Sequence, residues 1–342
     1  MKILGMDIGG ANTDCSIIAL ENNNVHLVKT FRDYFPMWKN NEILSDYLEK
    51  IREKEAPDIV CVSMTAELAD CYKSKKEGVL DISKRVVDTF GTEGVYFVSV
   101  DGLKCFDDLK SDLLSAAASN WIGTVELLKH VCSDCIFMDM GSTSTDIIPI
   151  KNGKEYAEGH NDLERLISGE LIYTGLLRSN LASIVHNVPI RGRNCGVSSE
   201  YFSITADVHR ILGNISEEEY TCPTPDGTGK DLISCKRRLA RLVCADLDLL
   251  NDDEINDIAK FIEEKQIEMI YHGLKEVVSR TKLDTVILSS MKNNVCKKVV
   301  KKMDLNVLDL EELLEKEHIK SITAVGAAQM YLNNYYPELV IV

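Results

Sequence analysis

Apolar residues recur along the chain at two spacings, one typical of β-strands and the other typical of helices. Near the start, apolar runs at 2–8, 15–20 and 25–31 are separated by "GGANTD" and "ENNN", and this pattern predicts three strands joined by tight turns. The next apolar residues lie three and four positions apart, which predicts a helix over 40–55.

The rest of the chain continues to alternate between the two patterns. Further strands are predicted at 58–64, 95–100, 135–140, 146–151, near 155–158 and at 284–290. Helical segments are predicted at 67–90, 107–130, 163–212, 232–247 and 252–280, with a Pro/Gly/Arg loop at 187–197 interrupting the third. The breaker-rich segment 216–231 predicts an exposed insertion, and the last part predicts a helix, a short strand and a helix beginning at 322. This alternation predicts an α/β protein.

One turn sequence occurs twice, each time between two predicted strands. Residues 7–14 read "DIGGANTD" and residues 139–146 read "DMGSTSTD". Both fit D-x-G-[GS]-x-x-T-D, and the copies start 139 − 7 = 132 residues apart. A tight turn of glycine and small hydroxylic residues lets backbone N–H groups and hydroxyls surround a phosphate. A pair of ordinary hairpins with Asx-type turns is the alternative.

Each copy supplies candidate phosphate ligands and carboxylates. The predicted phosphate-binding residues are Gly9, Gly10, Asn12, Thr13, Gly141, Ser142, Thr143, Ser144 and Thr145. Asp7 and Asp139 end their strands, where a carboxylate can hold Mg²⁺ directly or through water, so Mg²⁺ is the expected cofactor. Asp14 and Asp146 are predicted either to brace the turns by accepting backbone N–H bonds or to take part in catalysis.

The two turns resemble the phosphate-1 and phosphate-2 motifs of the actin, sugar-kinase and Hsp70 superfamily. That resemblance implies two ribonuclease-H-like α/β domains around a phosphate-binding cleft. The segment "ITAVGAAQMYL" (322–332) resembles the second connecting helix of the superfamily, which would return the chain to the first domain. The expected domains are therefore 1–128 with 322–342, and 129–321.

The chain departs from the superfamily at the expected adenosine motif. A glycine pair usually follows a late strand there, but the strand "TVILSS" ends in Ser289-Ser290-Met291. Bulkier residues hinder the close backbone approach that a purine needs, so no ATP is expected.

Longer segments resemble a narrow branch of the hydantoinase/oxoprolinase relatives, the archaeal synthases of methanofuran biosynthesis. They are "DMGSTSTDIIPI", "HNDLERLISGELIYTGLLRSNLASIVHNVPIRGR", "YFSITADVHRILG", "MTAELAD" and "SNWIGT". The resemblance covers nearly the whole chain. It implies a transferase that joins (5-aminomethyl-3-furyl)methyl diphosphate to the phenol oxygen of γ-glutamyltyramine, forming an aryl ether and releasing pyrophosphate.

Other candidate site residues lie outside the turns. Glu67, just past a predicted strand, is a candidate base for the phenol or a ligand for metal-bound water, or else a helix N-terminal carboxylate. Arg165, Arg178, Arg191 and Arg193 surround "SGELIYTG" and are candidates for binding substrate carboxylates or the diphosphate, with surface solvation as the alternative. Glu170 either binds the aminomethyl cation or pairs with one of these arginines, and Tyr173 is a candidate for stacking on a ring.

Composition excludes several classes of protein. The formal net charge of −15 over 342 residues argues against nucleic-acid and anionic-membrane binding. No apolar stretch reaches the roughly 20 residues of a transmembrane helix, and the N-terminus reads as a first strand rather than a signal peptide. A cytoplasmic enzyme acting on small molecules is expected, with a homodimer as a further expectation from the wider family.

The cysteines favour reduced thiols over a metal site. The chain has eleven, including one C-x-x-C at Cys132 and Cys135, without a second pair at zinc-site spacing. Cys222, Cys235 and Cys244 with His209 match no compact zinc module. Small apolar-like thiols in a reducing compartment are the prediction.

Three other functions remain open from the residues. A small-molecule kinase or ATPase of the same superfamily would need ATP. An ATP-dependent lactam or hydantoin hydrolase would be expected to have a longer chain or a partner subunit. A non-catalytic phosphate-binding or assembly protein would show no turnover of any diphosphate.

Overall fold

The computed structural model describes residues 1–290 and 294–341, and it divides into two compact units. The first unit comprises Met1–Cys135, Ile148–Arg165 and Leu310–Val342, and the second comprises Ile136–Ile147 and Leu166–Asp309. Relative to the boundaries expected from the sequence, the first unit gains 129–135, 148–165 and 310–321. The strand Thr145–Lys151 begins in the second unit and ends in the first.

Within the described residues, the strands and helices follow one another in a mixed order. The strands are β1 (Lys2–Ile8), β2 (Asn12–Glu21), β3 (Asn24–Tyr34), β4 (Ile59–Met64), β5 (Val95–Ser99), β6 (Gly102–Lys104), β7 (Cys135–Met140), β8 (Thr145–Lys151), β9 (Lys154–Glu155), β10 (Leu171–Ile172), β11 (Asn187–Ile190), β12 (Arg193–Gly196), β13 (Thr285–Leu288) and β14 (Asn306–Asp309). The α-helices are α1 (Met37–Asn40), α2 (Leu44–Glu55), α3 (Lys75–Phe90), α4 (Phe106–Ser111), α5 (Asn120–Leu128), α6 (Asp162–Ser168), α7 (Thr205–Ile211), α8 (Leu232–Arg241), α9 (Asp252–Thr281), α10 (Asn294–Lys302), α11 (Leu310–Leu313), α12 (Lys316–Lys320) and α13 (Ile322–Tyr335). Short 3₁₀ helices lie at Asn41–Ile43, Ala66–Leu68, Leu113–Ala116 and Leu181–Ser183.

The first unit is built on a mixed sheet with the order β3-β2-β1-β4-β5-β6. Strands β1, β2 and β3 pair antiparallel, and β1, β4 and β5 pair parallel. The β2–β3 turn is formed by Asn22 and Asn23, both with positive φ, which asparagine tolerates better than most residues. Because β1 and β4 are parallel neighbours, their carboxyl ends lie side by side, with Asp7 opposite Ser63.

The second sheet has the order β10-β8-β7-β13-β14, with β9 paired to β8. Strand β13 pairs parallel with both β7 and β14. Ligand sites in open α/β sheets collect at the carboxyl ends of parallel strands, which here are the ends of β7 and β13. A separate two-stranded sheet joins β11 to β12.

Each unit has its own apolar core. In the first, sheet residues such as Met6, Val62 and Phe97 pack with Leu48 and Val86 of the flanking helices, all at least 95% buried. In the second, Met138 and Leu288 pack with α9 and α10. Burying each such side chain contributes about 2 kcal/mol, and this stabilises the edges that carry the turns.

The helix predicted over 107–130 is broken into two helices and a 3₁₀ turn. Ala118 adopts a φ of 51°, and the buried hydroxyl of Ser119 donates to the carbonyl oxygen of Val98 at 2.8 Å. This contact with β5 overrides the helix propensity of the alanines, because propensity differences amount to only a few tenths of a kcal/mol per residue.

The helical pattern predicted for 163–212 is also wrong over much of its length. Helix α6 ends at Ser168, and the loop at 187–197 forms the β11–β12 hairpin. Arg191 and Gly192 both have positive φ, of 51° and 72°, as in the tight turns that match strand twist.

Segment 216–231, all of which is described, contains neither helix nor strand, yet it is not simply exposed. Tyr220 is fully buried, and its hydroxyl donates to Asp207 at 3.0 Å. Asp207 also forms a fully buried ion pair with Arg238 at 2.7 Å. The segment is therefore anchored between α7 and α8.

Candidate functional site

The two repeated turns have the same backbone closure, each within its own unit. The N–H of Gly9 donates to the carbonyl oxygen of Asn12 at 2.9 Å, and the N–H of Gly141 donates to that of Ser144 at 2.9 Å. The sequence repeat therefore corresponds to a repeated local structure between two strands.

In the first turn, the next two carbonyl groups are bound by the chain that follows β3. The N–H of Met37 donates to Gly10 at 2.8 Å, and the N–H of Phe35 donates to Ala11 at 3.0 Å. Among the residues that the structure describes, the N–H groups of Gly10 and Ala11 donate no hydrogen bond. With the carbonyls occupied, the turn retains donors that an anion can use.

The second turn is held in the same way by the segment 174–178. The N–H groups of 176–178 donate to the carbonyl oxygens of Gly141 and Ser142 at 2.8 to 3.0 Å. Within residues 1–290 and 294–341, the N–H groups of Ser142 and Thr143 donate no hydrogen bond. Gly175 lies directly against the turn, since a Cβ there would be 2.4 Å from the nitrogen of Thr143.

Two of the predicted phosphate ligands have buried side chains. Thr13 and Thr145 are fully buried, and the hydroxyl of Thr145 donates to the carbonyl oxygen of Thr174 at 2.8 Å. Each is among the first residues of its strand, where alternate side chains point into the core. The hydroxyl of Thr145 thus makes a structural contact, and its role in phosphate binding stays a prediction.

Asp7 is a buried carboxylate surrounded by donors. Its oxygens accept hydrogen bonds from the hydroxyls of Ser63 and Thr323, both at 2.9 Å, and from the Asn120 amide at 3.5 Å. Burial raises the pKa of Asp7, and the charge of Asp14 raises it further, whereas the three donors lower it. The sequence singled out Asp7 but gave no sign of its partners on β4, α5 and α13.

Glu67 lies one residue past the start of a 3₁₀ helix and is 1% exposed. One of its oxygens, Oε2, has no hydrogen-bond partner among the described residues, and Oε1 lies 3.8 Å from Nζ of Lys75. Lys75 also pairs with Asp162 at 2.8 Å. Burial raises the pKa of Glu67 to about 7, and Lys75 only partly offsets that effect.

The position of Glu67 is fixed by close packing against α3. A Cβ on Gly78 would lie 2.4 Å from the carbonyl oxygen of Glu67. Of the two interpretations of Glu67, the one that placed it at the N-terminus of an α-helix is wrong, because Glu67 lies in a 3₁₀ turn and α3 begins at Lys75. A rigid, partly protonated acid is suited to moving a proton.

The remaining turn aspartates differ in what surrounds them. Asp14 accepts hydrogen bonds from Arg32 at 2.7 Å and from the hydroxyl of Ser321 at 3.2 Å. The donors are side chains, where the sequence predicted backbone N–H groups. Asp139 is the next-to-last residue of β7 and is half-buried, and Asp146 pairs with Leu171 across the β8–β10 ladder.

The predicted arginine cluster has several different environments. Arg165 is buried, with its guanidinium 4.8 Å from the ring centroid of Trp121. Arg178 has an exposed side chain beside the second turn, to which its own N–H is bonded. Arg191 pairs with Glu254 at 2.7 Å, and Arg193 is exposed on β12.

Of the two alternatives for Glu170, the structure shows an ion pair. Its buried carboxylate pairs with Arg280, an arginine outside the predicted cluster, and accepts a hydrogen bond from Ser168 at 2.8 Å. Tyr173 is 67% exposed, so its ring is available to a ligand.

A buried polar network behind the second turn carried no sequence signal. Gln266 donates to the hydroxyl of Thr174 and to the carbonyl oxygen of Gly175, both at 2.9 Å. Its oxygen lies 2.9 Å from Nε2 of His209, whose pKa burial lowers to about 4. Asn214 lies 3.1 Å from the other ring nitrogen. His209 is thus a structural residue, as a lone histidine usually is.

The described residues contain no group of three or more His, Cys, Asp or Glu that could hold a metal ion. All eleven cysteines are free, and those that are buried are Cys15, Cys61, Cys135, Cys222, Cys235 and Cys296. In the C-x-x-C pair, burial raises the pKa of Cys135. Its thiol donates to the carbonyl oxygen of Cys132 at 3.6 Å.

A cavity lies at the segment after β13, where the sequence lacks the glycine pair of an adenosine motif. Ser289 and Ser290, which directly follow β13, line a cavity of about 330 Å³, whereas Met291 lies outside the described residues. Absence of ATP therefore stays a prediction. No helix in the described part of the chain is long and apolar enough to span a membrane.

The chain is similar to known proteins in both sequence and fold. The chain is 41% identical over 319 residues to (4-{4-[2-(gamma-L-glutamylamino)ethyl]phenoxymethyl}furan-2-yl)methanamine synthase from Methanocaldococcus jannaschii, covering 93% of each chain. Among solved structures, nucleotide-free acetone carboxylase has a TM-score of 0.55 and 11% identity, covering 96% of this chain and 70% of that one. The Lmo2764 protein from Listeria monocytogenes has a TM-score of 0.53 and 11% identity, covering 98% and 99%.

These likenesses show the two-domain α/β fold of the actin, sugar-kinase and Hsp70 superfamily. The hydantoinase/oxoprolinase family model matches residues 58–327, which is most of the chain. The chain belongs to the hydantoinase/oxoprolinase family.

Proposed function

We propose that the protein is a transferase of methanofuran biosynthesis that condenses (5-aminomethyl-3-furyl)methyl diphosphate with γ-glutamyltyramine. The observation that carries this proposal is 41% identity, over 93% of both chains, to a synthase named for a phenoxymethyl-furan methanamine. In the reaction, the phenol oxygen forms a bond to the methylene carbon. The bond from that carbon to the diphosphate breaks, and the phenol loses its proton.

The repeated turns support a diphosphate leaving group. A furyl-methyl carbon stabilises positive charge, so breaking its bond to oxygen is expected to be the difficult step. Negative charge then develops on the departing pyrophosphate. Within the second unit, the N–H groups of Ser142 and Thr143 are donors that would stabilise that charge, and within the first unit the N–H groups of Gly10 and Ala11 are donors of the same kind.

The residues present also fit Mg²⁺. Each unit has its own carboxylate near a strand end, Asp7 in the first and Asp139 in the second, and either offers the hard oxygen ligands that Mg²⁺ prefers. Asp7 is buried beside the charge of Asp14, and these two effects raise its pKa, so a nearby cation would supply the missing counter-charge. When bound, Mg²⁺ would supply positive charge to the leaving diphosphate.

Glu67 is the strongest candidate for the base that takes the phenol proton. Its Oε2 is buried and has no partner among the described residues, and a pKa of about 7 leaves a large ionised fraction at neutral pH. An aspartate with its donors already in place, such as Asp7, is better suited to holding charge than to moving a proton.

Substrate-binding roles follow from exposure and charge. The exposed guanidinium of Arg178, beside the second turn, suits a diphosphate or a glutamyl carboxylate. Arg193 is a second exposed candidate for the carboxylates, and the ring of Tyr173 is a candidate for stacking. Arg165, whose guanidinium is buried against the ring of Trp121, is the remaining candidate for binding a substrate anion and lies in the first unit.

The test is a paired incubation of the purified protein. One tube contains Mg²⁺, the aminomethylfuryl diphosphate and γ-glutamyltyramine, and both pyrophosphate and the mass of the ether are followed. A second tube contains ATP with the furyl alcohol or monophosphate. Ether and pyrophosphate in the first tube, without ATP consumption in the second, support the synthase. ATP turnover without ether would instead identify a kinase that uses the same turns.

A further inference from the structure

The cavity of about 330 Å³ in the second unit adjoins the second turn through two of its lining residues. Met140 immediately precedes Gly141, and the N–H of Leu176 donates to the carbonyl oxygen of Gly141 at 2.9 Å. A ligand whose phosphates lie on this turn would therefore place its next group at the mouth of the cavity.

Among the described lining residues, an apolar wall is combined with one charged side chain. Met140, Leu176 and Ile215 supply apolar surface, and Glu219 is the charged residue among those that line it. The exposed carboxylate of Glu219 accepts one hydrogen bond, from the N–H of Ser216 at 2.7 Å, and forms no ion pair with any described residue. The carboxylate of Glu219 is therefore available to attract a cationic group on a ligand.

The polar rim is already ordered. The side-chain amide of Asn214 contacts His209 and Glu263 at 3.1 and 2.7 Å, and its oxygen accepts a hydrogen bond from Asn294 at 3.3 Å. An amide whose bonds are satisfied within the protein fixes the shape of the cavity without recruiting a particular ligand. A volume near the low end of the range for ligand pockets suits a small ring.

We propose that this cavity holds the furan ring of the diphosphate substrate, with its aminomethyl ammonium group at Glu219 and its diphosphate on the second turn. The inference rests on the proposed function, which supplies a flat ring with a cationic arm. Glu170, the acidic residue first considered for that arm, is buried in its ion pair with Arg280. Glu219 is the acidic side chain in the cavity that remains open to a ligand.

The experiment compares three ligands in titration calorimetry with the full chain and Mg²⁺. They are the aminomethylfuryl diphosphate, an analogue with methyl in place of aminomethyl, and inorganic pyrophosphate. Glu219→Gln is expected to weaken the first ligand about three- to tenfold and to leave the other two unchanged, because only the first carries the cation. Glu218→Gln, the same change one residue away and outside the cavity lining, is the matched control and is expected to alter none.

A second variant tests the cavity independently of charge. Thr221→Phe adds bulk at an exposed lining position, and it is expected to weaken both furyl ligands but not pyrophosphate. Equal losses for the methyl analogue and the natural ligand in Glu219→Gln, or no loss at all, would overturn the assignment. So would tight binding of ADP that Thr221→Phe abolishes while both furyl ligands keep their affinity.

Failure of this inference is distinguishable from failure of the proposed function. If the wild-type protein forms ether and Glu219→Gln keeps the wild-type KM for the furyl diphosphate, the cavity assignment falls and the synthase stands. If the wild-type protein forms no ether, both fall.

Discussion

Gly175 and Thr143 lie backbone against backbone, so closely that a Cβ at position 175 would be 2.4 Å from the nitrogen of Thr143. The same methyl group would be 2.6 Å from the carbonyl carbon of Ser142. Real Cβ atoms do not approach backbone atoms at these distances. The backbone of the second turn therefore packs directly against Gly175, and its shape depends on this residue, which is more than thirty positions away in the sequence.

Gly175→Ala is expected to displace the second turn. Overpacking against backbone typically costs about 1–3 kcal/mol, and the turn's N–H groups would no longer converge. We expect KM for the furyl diphosphate to rise at least about tenfold, together with a lower Tm. Gly196→Ala is the control, because a Cβ there meets nothing within 4 Å. An unchanged KM in Gly175→Ala would show that the second turn does not bind the diphosphate.

The first turn offers a matched pair of neighbouring glycines. A Cβ on Gly9 would lie 2.7 Å from the carbonyl oxygen of Asn12, whereas a Cβ on Gly10 would meet nothing within 4 Å. Gly9→Ala is expected to lower both the free energy of unfolding and pyrophosphate affinity.

Gly10→Ala is expected to leave the free energy of unfolding within about 1 kcal/mol of wild type and to weaken pyrophosphate binding through its added methyl group. Urea unfolding and calorimetry separate the two effects. Wild-type pyrophosphate affinity in Gly10→Ala would mean that the phosphate does not approach this residue.

The sequence identified the repeated turns because their information is local. Gly9 and Gly141 each close a turn on a residue three positions later, and such spacing is readable from the chain. What holds the turns could not be read in the same way. The partners of Asp7 on α5 and α13 are 113 and 316 residues away. Only the folded sheet brings them together.

The same reason explains the secondary-structure predictions that were wrong. The break at Ala118 is imposed by a hydrogen bond to β5, and intrinsic propensity is weaker than such a contact. At 187–197, the Pro and Gly residues correctly predicted an interruption of the helix. The antiparallel pairing of β11 with β12, which makes this segment a hairpin, could not be predicted from those residues alone. Strands β1 and β2, by contrast, match their predicted positions closely because burial and pattern agree.

Glu67 is expected to make stability depend on pH. Its pKa is about 7 in the folded protein and about 4.5 in the unfolded chain, so between these values the folded state binds more protons than the unfolded state. This contribution to stability is therefore fully present below pH 4.5 and is lost as pH rises to about 7. The free energy of unfolding of the wild type should fall relative to that of Glu67→Gln as pH rises across this window. Outside the window, the two curves of free energy against pH should run parallel.

Urea unfolding at pH values from 4.5 to 8 measures this difference. Glu42→Gln, the same substitution at an exposed position of the same unit, is the control for the change of residue itself. If Glu67 is also the base, the acid limb of the kcat/KM profile should lie near pH 7 in the wild type and be absent in Glu67→Gln. Parallel unfolding curves across the whole pH range would contradict a raised pKa for Glu67.

Gln266→Met is expected to affect the second turn through the buried network. The variant keeps the side-chain volume but removes the bonds that Gln266 makes to His209, to the hydroxyl of Thr174 and to the carbonyl oxygen of Gly175. Unsatisfied buried groups of this kind cost about 1–3 kcal/mol each before relaxation. We expect a loss of roughly 2–4 kcal/mol in the free energy of unfolding and a raised KM for the furyl diphosphate.

Gln329→Met is a control matched for burial and hydrogen bonding. Gln329 is fully buried in the first unit, donates to Asn333 and to the carbonyl oxygen of Leu339 at 2.8 and 3.0 Å, and accepts from Ile341 at 2.7 Å. Its replacement should lower stability by a similar amount, but it has no bond to the second turn. A raised KM in Gln266→Met alone would therefore identify Gln266 as a positioning residue. If KM increased equally in both variants, the increase would be due to the loss of stability, and the network behind Gly175 would have no specific influence on the turn.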